Sequence, residues 1–372
     1  MIHRALFRNF KALRNVDITF DSRLTVLVGP NGSGKTSVLQ GINFLTEPVL
    51  ARARGRSDRL EQLASSISIG VINESMLLRL ESKSHGGQSS IIAVSAENKN
   101  SIQWSIQSEA IGDWSIRLNH FQEQWHRTET AFRVHPLQLA RLDIATLLQF
   151  NVGRLASPKP RLEPLPEVGQ DGSGLALVLG YIEAEYPERY KGIMNSLTRI
   201  IPPVTGLQLD KDLVPEVGYY ADSIRVDYQG ATGVKLGHVS SGTLFALGLL
   251  AVAYNPNSPN ILLLDDLENG LHPKAQMELV AIFRSLLEDN PSLQIIATSH
   301  SPYILDRLEW NEVKVTALQD DGTAVCVPLI DHPLYPKWHE AMTPGEFWSH
   351  LGDDWVKKAD VPNPSPEPVA TP

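Results

Sequence analysis

The sequence predicts an α/β fold in which a parallel-rich sheet is flanked by helices and carries an inserted α+β segment. The first observation is that, from Ser240 onward, apolar helices alternate with short, continuously apolar strands. This alternation is typical of parallel strands that are covered on both faces. The second observation is a glycine-rich loop that joins a buried apolar strand, Leu24–Val28, to a helix expected over residues 36–45.

The remaining elements follow from apolar spacing and from the positions of glycine and proline. In chain order we expect a strand at 16–20, strands near 67–81 and 91–106 with a turn at Gly86 and Gly87, helical spacing over 112–150, a Pro- and Gly-rich linker at 157–174, helices at 174–185 and 187–200, and a strand at 224–228. The regular part then has a helix at 240–254, a strand at 261–264, a helix at 273–288 and a strand at 294–298. No heptad pattern is sustained before Ser240, which argues against a long coiled coil.

These elements divide the chain into successive parts. We expect a lobe with the glycine-rich loop at 1–50, inserted strands and helices that complete the same domain at 51–235, the regular α/β part at 236–330, a C-terminal segment at 331–360 and a disordered tail at 361–372. The tail is predicted to be disordered because it is rich in proline and has few apolar residues with which to form a core.

Composition places the chain among globular proteins and excludes several functional classes. Hydrophobic residues make up 42% and charged residues 20%, as in proteins with a packed core. The net charge of -9 argues against a protein that coats nucleic acid with its whole surface, but leaves room for a local basic patch. The single cysteine, Cys326, excludes an intrachain disulfide and a cysteine-cluster zinc site. The longest apolar run, 244–254, is too short to span a bilayer and no signal peptide is apparent, so we expect a cytoplasmic protein without a membrane partner.

The glycine-rich loop carries a phosphate-binding pattern. It comprises Gly29, Pro30, Asn31, Gly32, Ser33, Gly34, Lys35 and Thr36, which fit G-x-x-x-x-G-K-[ST], and we count Ser37 with it. The glycines let the backbone curl so that its N–H groups converge on phosphates, and the helix N-terminus adds a positive dipole end. Lys35 is expected to reach the β- and γ-phosphates, and the Thr36 hydroxyl is expected to bind Mg²⁺. The sequence therefore predicts a site for ATP with Mg²⁺.

A pair of acids ends the apolar strand at 261–264. A parallel strand that ends in an acid beside a phosphate loop places a carboxylate where Mg²⁺ sits, so Asp265 is predicted to hold the metal through water. Asp266 is then predicted to polarise the attacking water as the catalytic base. Glu268 lies two residues further on and competes for the base role. The alternative is that the strand simply exits into a polar turn.

Two weaker signals complete the set. The sequence Val-Ser-Ser-Gly-Thr that begins at Val239 precedes an apolar helix, where N–H donors and the Ser240 hydroxyl would be exposed to an anion. A serine in this position is more often only a helix cap. His300 follows the last apolar strand, where a structural histidine is the commoner case. The order and spacing of these signals after the phosphate loop nevertheless form one specific series.

This series resembles the ABC-type ATPase heads of the SMC, RecF and OLD families, and it is most similar to the small stand-alone bacterial AAA-family ATPases grouped with them. The start NFKAL at Asn9 followed by GPNGSGKT, the SSG signature at Ser240, the Walker B and D-loop sequence LDDLENGLHP at Leu264, the switch histidine His300, QDGSG at Gln170 and PGEFW at Pro344 carry the resemblance. The fold it implies is a P-loop NTPase of the ABC-ATPase head type.

The resemblance also implies a mechanism. Two heads would form a homodimer head to tail, with ATP between the phosphate loop of one and Ser240 and Gly242 of the other, while His300 senses the γ-phosphate. Hydrolysis would remove this bridge and open the dimer. The chain departs from the family in having Asp266 where glutamate is usual and in reading VSSGT at the signature. The Q-loop glutamine is left open among Gln88, Gln103 and Gln138.

Three functions are compatible with such a head. The first is a DNA- or nuclease-coupled ATPase that acts in DNA repair or antiphage defence. Because few residues follow His300, a nuclease or toxin is expected to be a separate effector protein. The second is a slow nucleotide-gated scaffold that holds such an effector, which Asp266 in place of glutamate leaves open. The third, the ATP-binding subunit of a transporter, is disfavoured by the long insert and by the form of the signature.

Direct DNA binding has one main candidate in the sequence. Arg52, Arg54 and Arg56 form a basic run in an otherwise acidic chain, although a solvated loop is the commoner explanation of such a run. Trp104, Trp114 and Trp125 are weaker candidates as stacking platforms, since core or partner contacts are commoner for tryptophan.

Overall fold

The computed structural model describes residues 1–53, 76–83, 89–98, 101–108, 114–121, 124–131, 145–157, 166–214 and 219–358. The strands are β1 Ile2–Phe10, β2 Leu13–Thr19, β3 Leu24–Val28, β4 Met76–Lys83, β5 Ser89–Asn98, β6 Ser101–Ser108, β7 Trp114–Phe121, β8 Gln124–Ala131, β9 Ala145–Leu148, β10 Val204–Val214, β11 Tyr219–Tyr228, β12 Ala231–Lys235, β13 Ile261–Leu264, β14 Gln294–Thr298, β15 Val313–Leu318 and β16 Ala324–Pro328. The helices are α1 Lys35–Ala53, α2 Val152–Leu155, α3 Leu175–Glu185, α4 Pro187–Ile200, α5 Ser241–Tyr254, α6 Pro273–Asp289, α7 Pro302–Leu305, α8 Tyr335–Trp338 and α9 Pro344–Leu351.

A central six-stranded sheet has the order β16-β15-β3-β14-β13-β9. All neighbours pair in parallel except β15 and β16, which form an antiparallel pair at one side. In register, Leu264 lies between Ala297 and Leu148. Parallel strands share one carboxyl edge, so the residues that follow β3, β9, β13 and β14 meet there. This edge carries the phosphate loop and the acid pair.

Two antiparallel sheets flank the central one. The larger has the order β2-β1-β4-β5-β6-β7-β8, and the smaller consists of β10, β11 and β12. Helix α1 contacts strands of both the central and the larger sheet, so it lies between them. The remaining long helices pack on the other face of the central sheet. The result is a layered α/β molecule in which the central sheet lies between α1 on one face and a helical layer on the other.

The hydrophobic core has two parts, one on each face of the central sheet, and successive side chains of β3 belong to them in turn. Val26 and Val28 belong to the part shared with the helical layer, whereas Leu27 belongs to the part shared with α1 and the larger antiparallel sheet. Because successive strand residues point to opposite faces, a strand covered on both sides must be apolar throughout. All of β3 is buried, which explains its uninterrupted apolar sequence.

The regular part of the predicted architecture is confirmed. The strands Leu24–Val28, Ile261–Leu264 and Gln294–Thr298 have the expected bounds, as does the helix Pro187–Ile200. Helix α1 is longer than expected and reaches Ala53. The division of the chain into parts stays a prediction, and the tail and the turn at Gly86 and Gly87 lie outside the described residues. Within the described ranges, no helix combines the length and the apolar character needed to cross a bilayer.

The helical spacing expected over 112–150 is wrong. The described part of this stretch forms the strands β7, β8 and β9 instead. Strands β7 and β8 continue the antiparallel order of the larger sheet, and β9 pairs with β13 in the central one. Long-range pairing of this kind overrides local spacing. The strand expected at 91–106 is likewise two strands, which break between Asn98 and Ser101.

Trp104 belongs to the core of the larger sheet. Its side chain is 1% exposed, its ring lies 5.3 Å from that of Phe44 on α1, and its indole N–H donates to the Phe44 carbonyl at 3.5 Å. A base could not stack on a ring in this position, and the core contact expected as the commoner case for tryptophan is confirmed for Trp104.

Replacement of Trp104 by alanine should destabilise the fold by about 3–5 kcal/mol, because it leaves a large cavity between β6 and α1. The matched control is Trp338→Ala, since Trp338 is 37% exposed and lies at the surface, so its removal should cost less. Denaturant unfolding of both variants measures the difference. An equal loss in the two variants would contradict the assignment of Trp104 to the core.

Candidate functional site

The phosphate loop connects the end of β3 to the start of α1. The backbone at Gly32 and Gly34 adopts φ values of 80° and 100°, which confirms that the glycines curl this loop. The Lys35 side chain folds back onto the loop, where its ammonium donates to the carbonyls of Gly29 at 2.9 Å and Pro30 at 2.8 Å. On its outer side, the Ser33 hydroxyl lies 2.6 Å from that of Thr316 on β15. The loop is therefore fastened to its own lysine and to the neighbouring strand.

Asp265 lies at the carboxyl edge of the sheet, directly after β13. One carboxylate oxygen accepts from the Thr298 hydroxyl at 2.7 Å and from the Thr36 hydroxyl at 3.0 Å. The other accepts from the side-chain amide of Gln149 at 2.8 Å. The donors come from α1, β14 and the residue after β9, so one carboxylate joins several elements at the phosphate loop.

Gln149 is a site residue that the sequence did not reveal. It follows β9, and its amide contact with Asp265 places it beside the Thr36 hydroxyl. Of the glutamines considered from the sequence, Gln103 lies on β6 in the larger antiparallel sheet, and Gln88 and Gln138 lie outside the described residues. The short apolar strand 145–148, which is followed by the polar residue Gln149, could have indicated this role. It was not recognised as a strand because residues 112–150 were expected to be helical.

Asp266 and Glu268 follow Asp265 but have different surroundings. Asp266 has a left-handed backbone with φ of 54°, and its N–H donates to the Thr298 hydroxyl at 2.8 Å. Positive φ in a residue other than glycine is uncommon and often accompanies a functional site. The Glu268 carboxylate instead accepts from the Ser299 hydroxyl and from the His300 backbone N–H, both at 2.7 Å. Glu268 is thus held by the segment that carries His300, whereas the Asp266 backbone is held by Thr298.

The phosphate loop, the acids and His300 face one cleft of about 440 Å³. It is lined by Asn31, Gly32, Gly34, Lys35, Thr36, Ser37, Asp266, Glu268, Asn269 and His300. The structure therefore brings the phosphate-loop residues together with Asp266, Glu268 and His300, as the sequence series predicts. Asp265 lies at the base of this group, hydrogen-bonded to Thr36.

The cleft is acidic apart from Lys35 and His300. Burial lowers the pKa of the Lys35 ammonium, and the carboxylates of Asp266, Asp265, Asp353 and Glu268 act against this. The pKa of Asp266 is raised, first because the cleft walls remove part of its hydration and then because Asp265 and Glu268 are close. Solvent still reaches the Asp266 side chain through the open cleft. A carboxylate with a raised pKa in a cleft is typical of a proton acceptor.

The signature helix α5 begins outside this cleft. Ser240 caps it by accepting from the Thr243 N–H at 3.2 Å, and Ser240 and Gly242 are not among the residues that line the cleft. Gly242 lies against Gly270 so closely that a Cβ at Gly242 would collide with the Gly270 carbonyl. The start of α5 is thereby packed directly on the turn that follows Glu268.

The basic run is only partly placed. Arg52 lies in the last turn of α1, and its side chain is outside the description. Arg54 and Arg56 lie outside the described residues, as do the side chains of Trp114 and Trp125, whose backbones form β7 and β8. The DNA-contact assignment therefore stays a prediction.

The residues at Asp265 fit a magnesium ion. Mg²⁺ is held by one or two carboxylates together with hydroxyl, water and phosphate oxygens. Asp265 supplies the carboxylate and Thr36 the hydroxyl, and these two groups already lie 3.0 Å apart at the mouth of the phosphate loop. The oxygen donors are of the type that a hard cation prefers, and Gln149 and Thr298 fix the orientation of the carboxylate.

Fold and site together define an ABC-type ATPase head of the SMC and RecF kind. The fold is similar to that of an SMC head bound to the C-winged helix domain of ScpA, with a TM-score of 0.57 and 15% identity over 88% of this chain and 96% of that one. It is also similar to the Smc head domain with an extended coiled coil from Pyrococcus furiosus, bound to the C-terminal domain of ScpA, with a TM-score of 0.55 and 12% identity over 88% and 95% of the two chains. At these identities the likeness shows the P-loop NTPase fold.

The family model described as "AAA domain, putative AbiEii toxin, Type IV TA system" matches residues 24–306. The match spans most of the chain, and the chain belongs to this family. It is 36% identical over 80 residues to the DNA double-strand break repair Rad50 ATPase of Methanococcus maripaludis, covering 20% of this chain and 8% of that protein. It is 52% identical over 44 residues to the DNA replication and repair protein RecF of Pasteurella multocida, covering 12% of each. The aligned part is well under two thirds of either relative.

Because Gly242 contacts Gly270 closely, alanine at Gly242 should lower the stability of the protein, whereas alanine at an uncrowded glycine should not. Gly242→Ala should destabilise the protein by roughly 2 kcal/mol or more, because the new methyl group forces the two backbones apart. Gly180→Ala is the matched control: it lies inside α3 with open space around it, and alanine there should be neutral or stabilising by about 0.5–1 kcal/mol. Denaturant unfolding compares the two. A Gly242→Ala protein as stable as the unmodified one would contradict the close approach.

Proposed function

We propose that this chain is an ATP-binding and ATP-hydrolysing head that dimerises on ATP and thereby controls a DNA-associated process or a separate effector protein. The observation that carries the proposal is that the phosphate loop, Asp266 and His300 line the same cleft, with Asp265 hydrogen-bonded to Thr36 behind it. The family of the chain and its SMC-type fold support the same assignment.

Binding of the nucleotide would use groups that are already placed. The N–H groups of the curled loop and the N-terminus of α1 would surround the phosphates. Lys35 would exchange the carbonyls of Gly29 and Pro30 for the β- and γ-phosphates. Mg²⁺ held by Thr36 and Asp265 would supply neutralisation of the phosphate charge. The Gln149 amide would keep the Asp265 carboxylate oriented during this exchange.

Hydrolysis would assign different roles to the acids of the cleft. The Asp266 carboxylate faces the cleft, and none of the hydrogen bonds given for the described residues involves it. Its raised pKa favours acceptance of a proton from water. Glu268 is occupied by Ser299 and by the backbone of His300. We therefore assign Asp266 as the base, Glu268 as the residue that positions the His300 segment, and His300 as the sensor of the γ-phosphate.

Dimerisation would complete the site in trans. Ser240 is exposed and lies outside the cleft of its own chain, so it could meet the nucleotide of a second copy in a head-to-tail pair. Gly242 is buried against Gly270 and would act there through its position at the start of α5. The exposed N-terminus of α5 offers N–H donors for a phosphate. Loss of the γ-phosphate would remove the shared contacts and separate the two heads.

The controlled process is inferred from the relatives. Rad50 and RecF are named for DNA repair and replication, and the family description mentions a toxin of a toxin–antitoxin system. We propose that the head acts in DNA repair or in antiphage defence, in the cytoplasm, together with a separate nuclease or toxin. A slow nucleotide-gated scaffold that holds such an effector is the second candidate, because Asp266 has a shorter reach to water than the glutamate usual at this position.

Replacing each of the two acids by its amide separates the roles of Asp266 and Glu268. Asp266→Asn preserves size and removes the proton acceptor, so single-turnover hydrolysis should fall by about 10²–10⁴-fold while ATP still binds. Glu268→Gln keeps an oxygen that accepts from the His300 N–H, so it should reduce hydrolysis less.

In the unmodified protein, kcat/KM should fall as the pH is lowered, with a midpoint above the usual carboxyl range. The reason is that the raised pKa of Asp266 lets this carboxylate take up a proton at a higher pH.

The control for these variants is Lys35→Ala, which should lose most ATP affinity in calorimetry while the fold remains intact. Normal hydrolysis by Asp266→Asn together with a loss in Glu268→Gln would show that the base is misassigned. Hydrolysis near zero in the unmodified protein, with intact ATP-dependent dimerisation in light scattering, would favour the scaffold.

DNA binding is tested by neutralising the basic run. The triple change of Arg52, Arg54 and Arg56 to glutamine should weaken DNA binding equally for all sequences and reduce its salt dependence, because fewer counterions are released. The matched control neutralises three exposed lysines elsewhere, Lys191, Lys211 and Lys274. Anisotropy titrations at several salt concentrations, with ATP present, measure both effects. If the unmodified protein binds no DNA at low salt, direct contact is excluded and the effector alternative gains support.

A further inference from the structure

Helix α6 carries a buried amide near its start, the side chain of Gln276. This side chain is 7% exposed, although glutamine is mostly a surface residue. Its Nε2 donates to the Leu271 carbonyl at 2.8 Å, and its Oε1 accepts from the Ser301 hydroxyl at 2.5 Å. A carbonyl can only accept, so the contact with Leu271 fixes which end of the amide carries the N–H groups. Gln276 therefore joins the turn that precedes α6 to the segment that follows β14.

The segment after β14 is held on both sides of His300. The Ser301 N–H donates to the Ser299 hydroxyl at 3.0 Å, and that hydroxyl donates to the Glu268 carboxylate at 2.7 Å. The His300 N–H donates to the other oxygen of the same carboxylate at 2.7 Å. Both serines are buried. The backbone that carries His300 is thus held by Glu268 before it and by Gln276 after it.

These contacts close into a ring through the turn that carries Glu268. The Leu271 N–H donates to the Glu268 carbonyl at 2.9 Å, which connects the two residues that hold the segment. The members of this hydrogen-bonded ring are Glu268, Ser299, Ser301, Gln276 and Leu271. A buried network whose members are all hydrogen-bonded is rigid, and its loss costs more than one exposed contact would. The ring therefore fixes the distance between the His300 segment and the turn at 268–271.

The same ring adjoins the start of α5. Gly270 directly precedes Leu271, and a Cβ at Gly242 would lie 2.1 Å from the Gly270 carbonyl oxygen. His300, at the other side of the ring, lines the cleft. The hydrogen-bonded ring thus lies between the cleft of its own chain and the helix whose N-terminus would meet the nucleotide of a second copy.

We propose that Gln276 is a positioning residue for ATP hydrolysis and for ATP-dependent dimerisation. It holds the His300 segment against the turn at 268–271, so that the contact of His300 with a γ-phosphate and the position of α5 depend on each other. Gln276 is not among the residues that line the cleft, so it acts through His300 and Glu268 rather than on the nucleotide. This inference rests on the proposed function.

The test variant is Gln276→Met, which has a similar length and removes both hydrogen bonds of the amide. The matched control is Gln294→Met. Gln294 is also fully buried, and its amide accepts from the Ile2 N–H at 2.8 Å and donates to the Ile2 carbonyl at 3.0 Å. It lies at the first residue of β14, at the opposite end of the strand from His300. Ser301→Ala is a milder second variant, because it removes only the bond between Ser301 and Gln276.

Four measurements are made on each variant. Denaturant unfolding gives the stability, and titration with a fluorescent ATP analogue at low protein concentration gives the affinity of the monomer for nucleotide. Single-turnover hydrolysis gives the rate of the chemical step, and light scattering with ATP and Mg²⁺ gives the protein concentration at which half of the heads are dimeric. A purely structural role would lower the stability without separating the other three quantities.

We expect Gln276→Met to hydrolyse ATP about tenfold more slowly and to need about tenfold more protein to dimerise, while its affinity for nucleotide changes less than about twofold. Ser301→Ala should show the same pattern to a smaller degree. The double variant should be no worse than Gln276→Met, because both changes remove the same link. Gln294→Met should lose a similar amount of stability and keep normal hydrolysis and dimerisation.

Normal hydrolysis or normal dimerisation in Gln276→Met overturns the inference, as does an equal loss in Gln294→Met or a parallel loss of nucleotide affinity. If Gln276→Met does not fold, Ser301→Ala decides by the same criteria. If the unmodified protein dimerises but hydrolyses at a rate near zero, dimerisation alone decides. If the unmodified protein shows neither hydrolysis nor ATP-dependent dimerisation, the proposed function itself fails, so the two failures are distinguishable.

Discussion

The site depends on one carboxylate that joins the carboxyl ends of neighbouring strands to the phosphate loop. Asp265 receives hydrogen bonds from Thr36 on the first turn of α1, from Thr298 at the end of β14 and from Gln149 after β9. These donors meet because β9, β13 and β14 are parallel and in register, so their ends lie side by side. A partly buried charge is stabilised by such partners. The strand order of the central sheet is therefore also the condition for a carboxylate held in this position.

A second set of contacts links the cleft to the signature helix. Glu268 holds the backbone of His300, and two residues further along the chain Gly270 packs against Gly242 at the start of α5. In the proposed mechanism, a movement of His300 relative to a phosphate would act on this short, tightly packed turn. In a head-to-tail dimer the cleft and α5 of one chain would serve different nucleotides, so this turn connects the two sites.

The sequence predicts those parts of the molecule that depend on neighbours along the chain. Local patterns predict the phosphate loop, the acid pair and the bounds of β3, β13 and β14. The reason is that a tight loop requires glycines and a strand covered on both faces requires apolar residues, and both are visible in the sequence. Gln149 was missed because its role depends on the pairing of β9 with a strand more than a hundred residues away.

The charges around Lys35 bear on how a nucleotide could bind. Asp265, Asp266, Glu268 and Asp353 all act on the Lys35 ammonium, so negative charges outnumber this one positive charge around it. A bare polyphosphate would be repelled by these acids, and a divalent cation at Asp265 would reverse the local field. Lys35 is hydrogen-bonded to the carbonyls of its own loop. In the proposed ATP site, binding of the nucleotide would therefore have to release the lysine and neutralise the acids together, which would tie the affinity for phosphate to the presence of the metal.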